Sequence, residues 1–250
     1  MSEDGREISR RDFVAATGAA VGLGLVPGAE PQGAAGAGRV PLGTALLFQG
    51  DSITDCGRDR AAGEPNGAAG LGRGYPLLIA ARLLSDHPDG RLQISNRGVS
   101  GNTVPDLDAR WQADALDLHP DVLSILIGVN DIWHKLDGQF AGTVDSYASG
   151  YAALLERTRQ ALPRCRLVVL EPFVLRTGAV TAAWFPEFDQ RRAAAATVAG
   201  RAGATFVPLQ AMFDRLARQA PADYWSADGV HPTVAGHGAI AREWLAKVRW

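Results

Sequence analysis

An aspartate, a histidine and a serine stand where they could form a nucleophile activated by a base. Asp228 precedes His231 by three residues, a spacing on a turn that lets the carboxylate reach the Nδ1 proton of the imidazole. The Nε2 atom would then be free to accept a proton from a hydroxyl. Ser52 follows Gly50-Asp51 on the turn that leaves an apolar run, and its hydroxyl could be that nucleophile. A serine at such a turn is also a common helix N-cap, and a histidine near a helix start is often structural, so both interpretations stay open.

Two other positions could stabilise negative charge on a carbonyl oxygen. Gly98 lies in the segment Asn96-Arg97-Gly98-Val99, and Asn130 lies in Gly128-Val129-Asn130-Asp131. Each follows an apolar run, so a backbone amide and a side-chain amide could converge as hydrogen-bond donors. The alternatives are that Gly98 only makes a turn and that Asn130 only caps a helix.

Five short apolar runs alternate with amphipathic stretches along the body of the chain. This pattern predicts a single α/β domain over residues 42–250, with a parallel sheet covered by helices on both faces. Ligands of such sheets bind outside the carboxyl ends of the strands, where Ser52, Gly98 and Asn130 would lie. The predicted strands are 44–48, 92–95, 122–127, 167–170 and 205–207, and the predicted helices are 76–84, 104–116, 146–162, 190–201, 209–218 and 233–248. The Gly-rich and Ala-rich segment 57–74 is expected to be a long loop.

The composition is that of a folded, nearly neutral protein. Hydrophobic residues make up 46% of the 250 residues and charged residues 21%, which argues against disorder. The 25 Lys and Arg nearly balance the 27 Asp and Glu, and no basic stripe is present. We therefore expect no nucleic-acid partner.

The first 41 residues have the layout of an export signal. Arg10-Arg11 precedes a weakly apolar stretch, 14–26, and a region of small residues. Paired arginines in this setting predict a twin-arginine signal followed by a linker, and hence a periplasmic or extracellular protein. The apolar stretch is short for a permanent membrane span. An unstructured or amphipathic N-terminal extension is the alternative.

The remaining cysteines, histidines and tryptophans give weaker signals. Cys56 and Cys165 cannot form a disulfide framework, and the sequence does not decide whether they pair. No histidine pair has metal-ligand spacing, so neither a metal nor any other cofactor is expected. His237 is interpreted as structural or solvated. Three tryptophans could line a sugar site or could simply pack: Trp133, Trp184 and Trp225.

Taken in order, four sequence blocks resemble the SGNH branch of the GDSL family of serine esterases and acylhydrolases. The blocks are Gly50-Asp51-Ser52, Gly98 in its Asn-Arg-Gly-Val-Ser-Gly-Asn context, Gly128-Val129-Asn130-Asp131, and Asp228 with His231. The resemblance implies that Ser52 is the nucleophile, His231 the base and Asp228 its orienter. It also implies an oxyanion hole formed by the Ser52 amide, the Gly98 amide and the Asn130 side chain. The fold it implies is a flavodoxin-like three-layer α/β/α sandwich with a five-stranded parallel sheet.

The residues around these blocks are similar to those of bacterial acetylxylan esterases, especially Asp51 to Arg58 and Asn96 to Val104. This similarity implies hydrolysis of acetyl esters of xylan or related carbohydrates, with a small-molecule or oligosaccharide ester as substrate. A lysophospholipase or thioesterase acting on longer acyl chains is the main alternative. A non-catalytic carbohydrate-binding protein and a flavodoxin-like cofactor binder are two others. Whether the chain forms a homo-oligomer stays open.

Overall fold

A central parallel sheet organises the computed structural model, which describes residues 42–248. The five strands are short and mostly buried, since apolar side chains point to both faces as they must in a sheet covered on both sides. They are β1 Ala45–Gly50, β2 Gln93–Asn96, β3 Val122–Leu126, β4 Arg166–Leu170 and β5 Thr205–Val207. Each predicted strand is present, with ends shifted by a residue or two.

The strand order is β2-β1-β3-β4-β5, and every neighbouring pair is parallel. This is the flavodoxin-like order, so the predicted fold is confirmed. The register aligns Phe48 with Asn96 and Gly50 with Leu126. The carboxyl ends of β1, β2 and β3 therefore meet at one edge of the sheet, with the first strand in the middle.

Helices cover both faces of the sheet and form two apolar cores with it. The helices are α1 Ser52–Asp55, α2 Ala68–Leu71, α3 Tyr75–Asp86, α4 Val104–Asp114, α5 Val129–Leu136, α6 Val144–Ala161, α7 Glu187–Arg201, α8 Leu209–Leu216, α9 Ala222–Trp225 and α10 Val234–Lys247, with 3₁₀ turns at Leu116–Leu118 and Ala182–Trp184. On one face of the sheet pack α3, α8 and α10, and on the other pack α4, α6 and α7.

The structure adds short helices that the sequence pattern did not predict. The segment 57–74, expected to be a loop, contains α2, and α1, α5 and α9 were likewise not predicted. The helices α1, α2 and α9 have four residues each, which is too short to display a 3.6-residue apolar period and explains their omission. Within residues 42–248 no helix is both long enough and apolar enough to cross a bilayer. Residues 1–41 lie outside the described part, so the export signal stays a prediction.

Candidate active site

The turn that follows β1 presents Ser52 at the first position of α1. Asp51 is the N-cap of this helix, because its Oδ1 accepts a hydrogen bond from the backbone N–H of Ile53 at 3.0 Å. Asp51, and not Ser52, therefore caps this helix. Gly50 has φ +153°, and a Cβ there would collide with the carbonyl oxygen of Leu126 on the adjacent strand. The tight turn therefore requires glycine and leaves the Ser52 hydroxyl free to face the carboxyl edge of the sheet.

A chain of hydrogen bonds joins Ser52, His231 and Asp228. The Oγ of Ser52 lies 2.8 Å from Nε2 of His231, and Nδ1 of His231 lies 2.6 Å from Oδ2 of Asp228. Because Nδ1 donates to the carboxylate, Nε2 of the neutral imidazole can accept the serine proton. The structure thus brings these three predicted residues together in an order suited to activating the hydroxyl.

Asp228 is held as a carboxylate by the turn on which it lies. Its other oxygen, Oδ1, accepts the backbone N–H groups of Val230 at 2.9 Å and of His231 at 2.7 Å. Partial burial alone would raise the pKa of Asp228, but the hydrogen bonds from the imidazole and from these two amides outweigh it and lower the pKa. The aspartate is therefore charged and fixed when the histidine needs an acceptor.

Neighbouring segments brace the turn that carries this pair. The hydroxyl of Ser226 donates to the carbonyl of His231 at 2.9 Å, and a β-bridge joins Ser226 to Pro232. From the other side the backbone N–H of Ala179 donates to the carbonyl of Asp228 at 2.8 Å. These contacts fix, from both sides, the turn that carries the imidazole, although the side chain of His231 is 46% exposed to solvent.

Asn130 and the amide of Ser52 lie at positions where they can donate to a developing oxyanion. Asn130 is in the first turn of α5, directly after β3, and its Nδ2 donates one hydrogen to the carbonyl of Asn102 at 3.0 Å. A primary amide has a second hydrogen, which remains for a ligand. The N–H of Ser52 is at the start of a helix, where backbone amides have no acceptor inside the helix.

The backbone N–H of Gly98 is not available as the predicted oxyanion donor. Its backbone N–H donates to Oδ1 of Asn96 at 2.9 Å, so it is already engaged and does not offer a free hydrogen to a substrate. A Cβ at Gly98 would lie 2.5 Å from the backbone nitrogen of Asp55 in α1. In this structure Gly98 serves close packing of the loop against the helix that carries Ser52, and its predicted role as a donor is corrected.

Another glycine of the same loop has the properties expected of a donor. The β2–α4 loop, residues 97–103, turns at Gly101, which has φ +85° and open space on the side where a Cβ would be. Among the described residues its N–H makes no hydrogen bond. Sequence reasoning missed Gly101, although the motif Ser100-Gly101-Asn102 contained a second glycine that could have been weighed.

Two buried carboxyl groups lie directly beside the site residues. Asp51 precedes Ser52 and Asp131 follows Asn130, and each has an Oδ2 atom that is buried without a hydrogen-bond partner in the described part. Burial raises the pKa of Asp51 to about 7, with a further contribution from the nearby charge of Asp131, and burial raises the pKa of Asp131 to about 6. The sequence reasoning assigned these residues no role.

His237 and the two cysteines have structural surroundings. The Nδ1 of His237 accepts the backbone N–H of Tyr75 at 3.2 Å, so Nε2 carries the hydrogen that faces Sγ of Cys56 at 3.4 Å. Burial, with a smaller effect of His231, lowers the pKa of His237 to about 4. Cys56 and Cys165 are both free thiols. No group of three or more potential metal ligands occurs between residues 42 and 248.

The three tryptophans have different surroundings. Trp133 lies on α5, one turn beyond Asn130, is partly exposed, and has its ring centroid 5.9 Å from that of His231. Trp184 packs against it at 5.6 Å but is only 2% exposed, and Trp225 is 8% exposed. Of the three, Trp133 is therefore the one placed to contact a substrate beside the imidazole.

Comparisons with known proteins agree with this geometry. A model of the GDSL-like lipase/acylhydrolase family matches residues 48–239. An acetylxylan esterase of Geobacillus stearothermophilus is 35% identical over 212 residues, which cover 84% of this chain and 96% of that protein. A crystal structure of an acetylxylan esterase from the same species has a TM-score of 0.76 at 32% identity and covers 85% of this chain and 97% of the other.

A second solved structure, from Parabacteroides merdae and described as a GDSL-like lipase, has a TM-score of 0.82 at 44% identity. The alignment covers 84% of this chain and 97% of that one. The family match spans most of the described residues and includes every block that the sequence analysis singled out. The chain therefore belongs to the GDSL-like lipase/acylhydrolase family and is a carboxylic ester hydrolase.

Proposed function

We propose that this chain is a serine esterase that removes short acyl groups, above all acetyl, from xylan, xylo-oligosaccharides or related carbohydrates. The observation that carries the proposal is the hydrogen-bonded chain from Asp228 through His231 to Ser52, with contacts of 2.6 and 2.8 Å. These groups and distances are those required to generate a serine nucleophile without a metal or an organic cofactor.

The proposed reaction has two acyl-transfer steps. Oγ of Ser52 attacks the ester carbonyl while its proton moves to Nε2 of His231, and Asp228 stabilises the imidazolium. Collapse of the tetrahedral intermediate breaks the bond to the alcohol oxygen, which takes the proton from Nε2. Water then attacks the acyl-enzyme, gives its proton to the same nitrogen, and releases the carboxylic acid as Ser52 recovers its hydrogen.

We assign the oxyanion hole to the Ser52 amide, the free Nδ2 hydrogen of Asn130 and the amide of Gly101. These groups come from the segments that follow β1, β3 and β2, which the strand register aligns at one edge. Donors held in place before the reaction stabilise the negative oxygen without further rearrangement. Gly101 takes the place that the sequence analysis gave to Gly98, whose N–H is bound to Asn96.

The preference for acetylated carbohydrates rests on two observations. The similar protein of Geobacillus stearothermophilus is named an acetylxylan esterase, and the alignment includes nearly its whole length. In this chain Trp133 presents a partly exposed aromatic ring beside His231. Aromatic side chains are typical linings of small-ligand sites, and we assign to Trp133 the contact with the sugar ring of the substrate.

Acetate release by purified protein tests the reaction and the nucleophile together. We expect the parent protein to release acetate from acetylated xylo-oligosaccharides and from p-nitrophenyl acetate, and Ser52→Ala to lose this activity while keeping its fold. Ser149→Ala is the matched control, since Ser149 is exposed on α6 and bonds only to a carbonyl of its own helix. A parental rate in Ser52→Ala would disprove the assignment.

The acyl chain is tested by comparing nitrophenyl esters of different length. We expect the ratio kcat/KM to be much higher for the acetyl than for the decanoyl ester. The opposite order would favour the lysophospholipase or thioesterase type of activity.

We also propose export by the twin-arginine route, which would direct the enzyme to polymer fragments outside the cytoplasm. Paired arginines at Arg10 and Arg11 support this proposal. Replacing both with lysine should retain the protein in the cytoplasmic fraction. Equal export of the parent and the double variant would disprove the route.

A further inference from the structure

One arginine on α4 binds two of the segments that surround the active site. The Nε atom of Arg110 donates to Oδ1 of Asn102 at 2.7 Å, Nη1 donates to the carbonyl of Arg97 at 2.8 Å, and Nη2 donates to the carbonyl of Gly50 at 3.3 Å. The side chain is only 17% exposed, and Asp114, one turn later on the helix, holds it by an ion pair at 3.1 Å. A single guanidinium thus ties the end of β1 to both ends of the β2–α4 loop.

Each proposed oxyanion donor is connected to one of these contacts, either by a few residues of chain or by a hydrogen bond. Gly50 stands two residues before the nucleophile. Gly101 lies within the loop whose two ends the guanidinium binds. Asn102 connects to the third donor, because its carbonyl accepts Nδ2 of Asn130 at 3.0 Å. Arg110 is thus connected to all three donors through these segments, although it touches none of them.

We propose that Arg110 is a positioning residue of the oxyanion hole, an inference that rests on the proposed esterase function. A guanidinium presents its donors in one rigid plane, so the segments it binds keep a fixed relative position. Oxyanion donors are effective when they are held in place before charge develops. A displacement of about 1 Å in such a group costs about 10²-fold in rate. Arg110 acts through Gly50, Arg97 and Asn102 and does not contact the substrate.

Other contacts keep the β2–α4 loop folded when Arg110 is replaced. Oδ2 of Asp55 accepts both the backbone N–H of Ser100 at 2.9 Å and its hydroxyl at 3.0 Å. Nε of Arg58 donates to the carbonyl of Gly98 at 2.7 Å. Removing the guanidinium should therefore loosen the ends of the loop rather than unfold it, so the effect on rate can be measured.

Arg159 offers a matched control near the amino ends of the strands, away from the site at their carboxyl ends. It lies on α6, and its guanidinium donates to the carbonyls of Cys165 and Ala202 at 3.1 Å, with a second bond to Ala202 at 2.9 Å. These carbonyls precede β4 and β5, so they lie near the amino ends of the strands. Both arginines fix backbone carbonyls of loops, but only Arg110 does so next to Ser52.

The test compares kcat and KM for p-nitrophenyl acetate in Arg110→Ala, Arg110→Lys and Arg159→Ala, together with the thermal midpoint of each protein. We expect Arg110→Ala to lose about 10- to 100-fold in kcat with little change in KM, since the donors act mainly on the transition state. Millimolar guanidinium chloride should restore part of this kcat. Arg110→Lys keeps the positive charge but lacks the planar fork, so it should recover only part of the rate. Arg159→Ala should lose stability and keep its kcat.

Three results would overturn the proposal. The first result is a parental kcat in Arg110→Ala. The second result is an equal loss of kcat in Arg110→Ala and Arg159→Ala. If Arg110→Ala does not fold, Arg110→Lys replaces it, and a parental kcat in that variant is the third. Ser52→Ala, measured with the same ester, separates this outcome from failure of the esterase mechanism itself.

Discussion

The buried carboxyl group of Asp51 should make the stability of the protein fall as the pH rises. Its pKa is raised from 3.8 to about 7 because burial disfavours the charged form, and the charge of Asp131 adds to this effect. The N–H of Ile53 opposes it in part by donating to the carboxylate. In the folded protein Asp51 thus keeps its proton between about pH 4 and pH 7, whereas in the unfolded chain it loses the proton near pH 4.

The sign and size of the effect follow from this difference. A raised acidic pKa gives stability that is fully present below the pKa of the unfolded chain and is lost as the pH rises through the folded value. The shift is about 3 pH units, and at about 1.4 kcal/mol per unit it corresponds to about 4 kcal/mol of unfolding free energy. Asp51→Asn should remove this loss, because the amide resembles the protonated acid in shape and its oxygen can still accept from Ile53.

Urea unfolding followed by tryptophan fluorescence between pH 4 and pH 8 measures the effect. Other groups titrate in both proteins, so the informative quantity is the unfolding free energy of Asp51→Asn minus that of the parent. We expect this difference to increase by about 4 kcal/mol from pH 4 to pH 8. Ser149→Ala, on the exposed surface of α6 and without a titratable side chain, serves as control and should show no such trend. A difference for Asp51→Asn that stays constant across the range would refute the reasoning.

Three further substitutions test the site. Asp228→Asn should lower kcat about 10⁴-fold, since an amide beside Nδ1 favours the tautomer of His231 that cannot accept the serine proton. A parental kcat would contradict the assigned role, and Asp223→Asn, on the exposed surface of α9, is the control. Asn130→Ala should lower kcat for p-nitrophenyl acetate about 10²–10³-fold by removing one oxyanion donor, and a near-parental value would exclude it from the hole. Gly98→Ala should lower the unfolding free energy by about 1–3 kcal/mol, because its Cβ would lie 2.5 Å from a backbone nitrogen of α1. An unchanged thermal midpoint would show that the loop accommodates the added methyl group without loss of stability.

The sequence predicted those features that depend on continuous apolar runs and on short local spacing. The strands could be identified because a stretch such as 122–127 is apolar at nearly every position, which is typical of a strand buried on both faces. The pairing of Asp228 with His231 could be predicted because three residues on a turn suffice to bring the two side chains together. The rule that ligands bind at the carboxyl ends of strands placed Ser52 at the site, and its meeting with Asp228 and His231 was implied by the resemblance to the GDSL family.

The features that could not be predicted depend on the direction of individual hydrogen bonds. Gly98 and Gly101 are three residues apart in one loop, and only the structure shows that the first amide is bound to Asn96 while the second makes no hydrogen bond within residues 42–248. Whether Asp51 or Ser52 caps α1 depends on backbone angles within one turn. The several acceptors of Arg110 come from segments that lie far apart in the chain and meet only after folding.

The separation of 179 residues between the serine and the histidine has a consequence for biosynthesis. During synthesis the 179 positions from Ser52 to His231 must be made before the base of the proposed mechanism is present. A nascent or truncated chain that ends before residue 231 carries the Ser52 hydroxyl but not the imidazole that contacts it. In the proposed mechanism a colour assay for ester cleavage by the purified protein therefore reports only chains that extend at least to residue 231 and have folded.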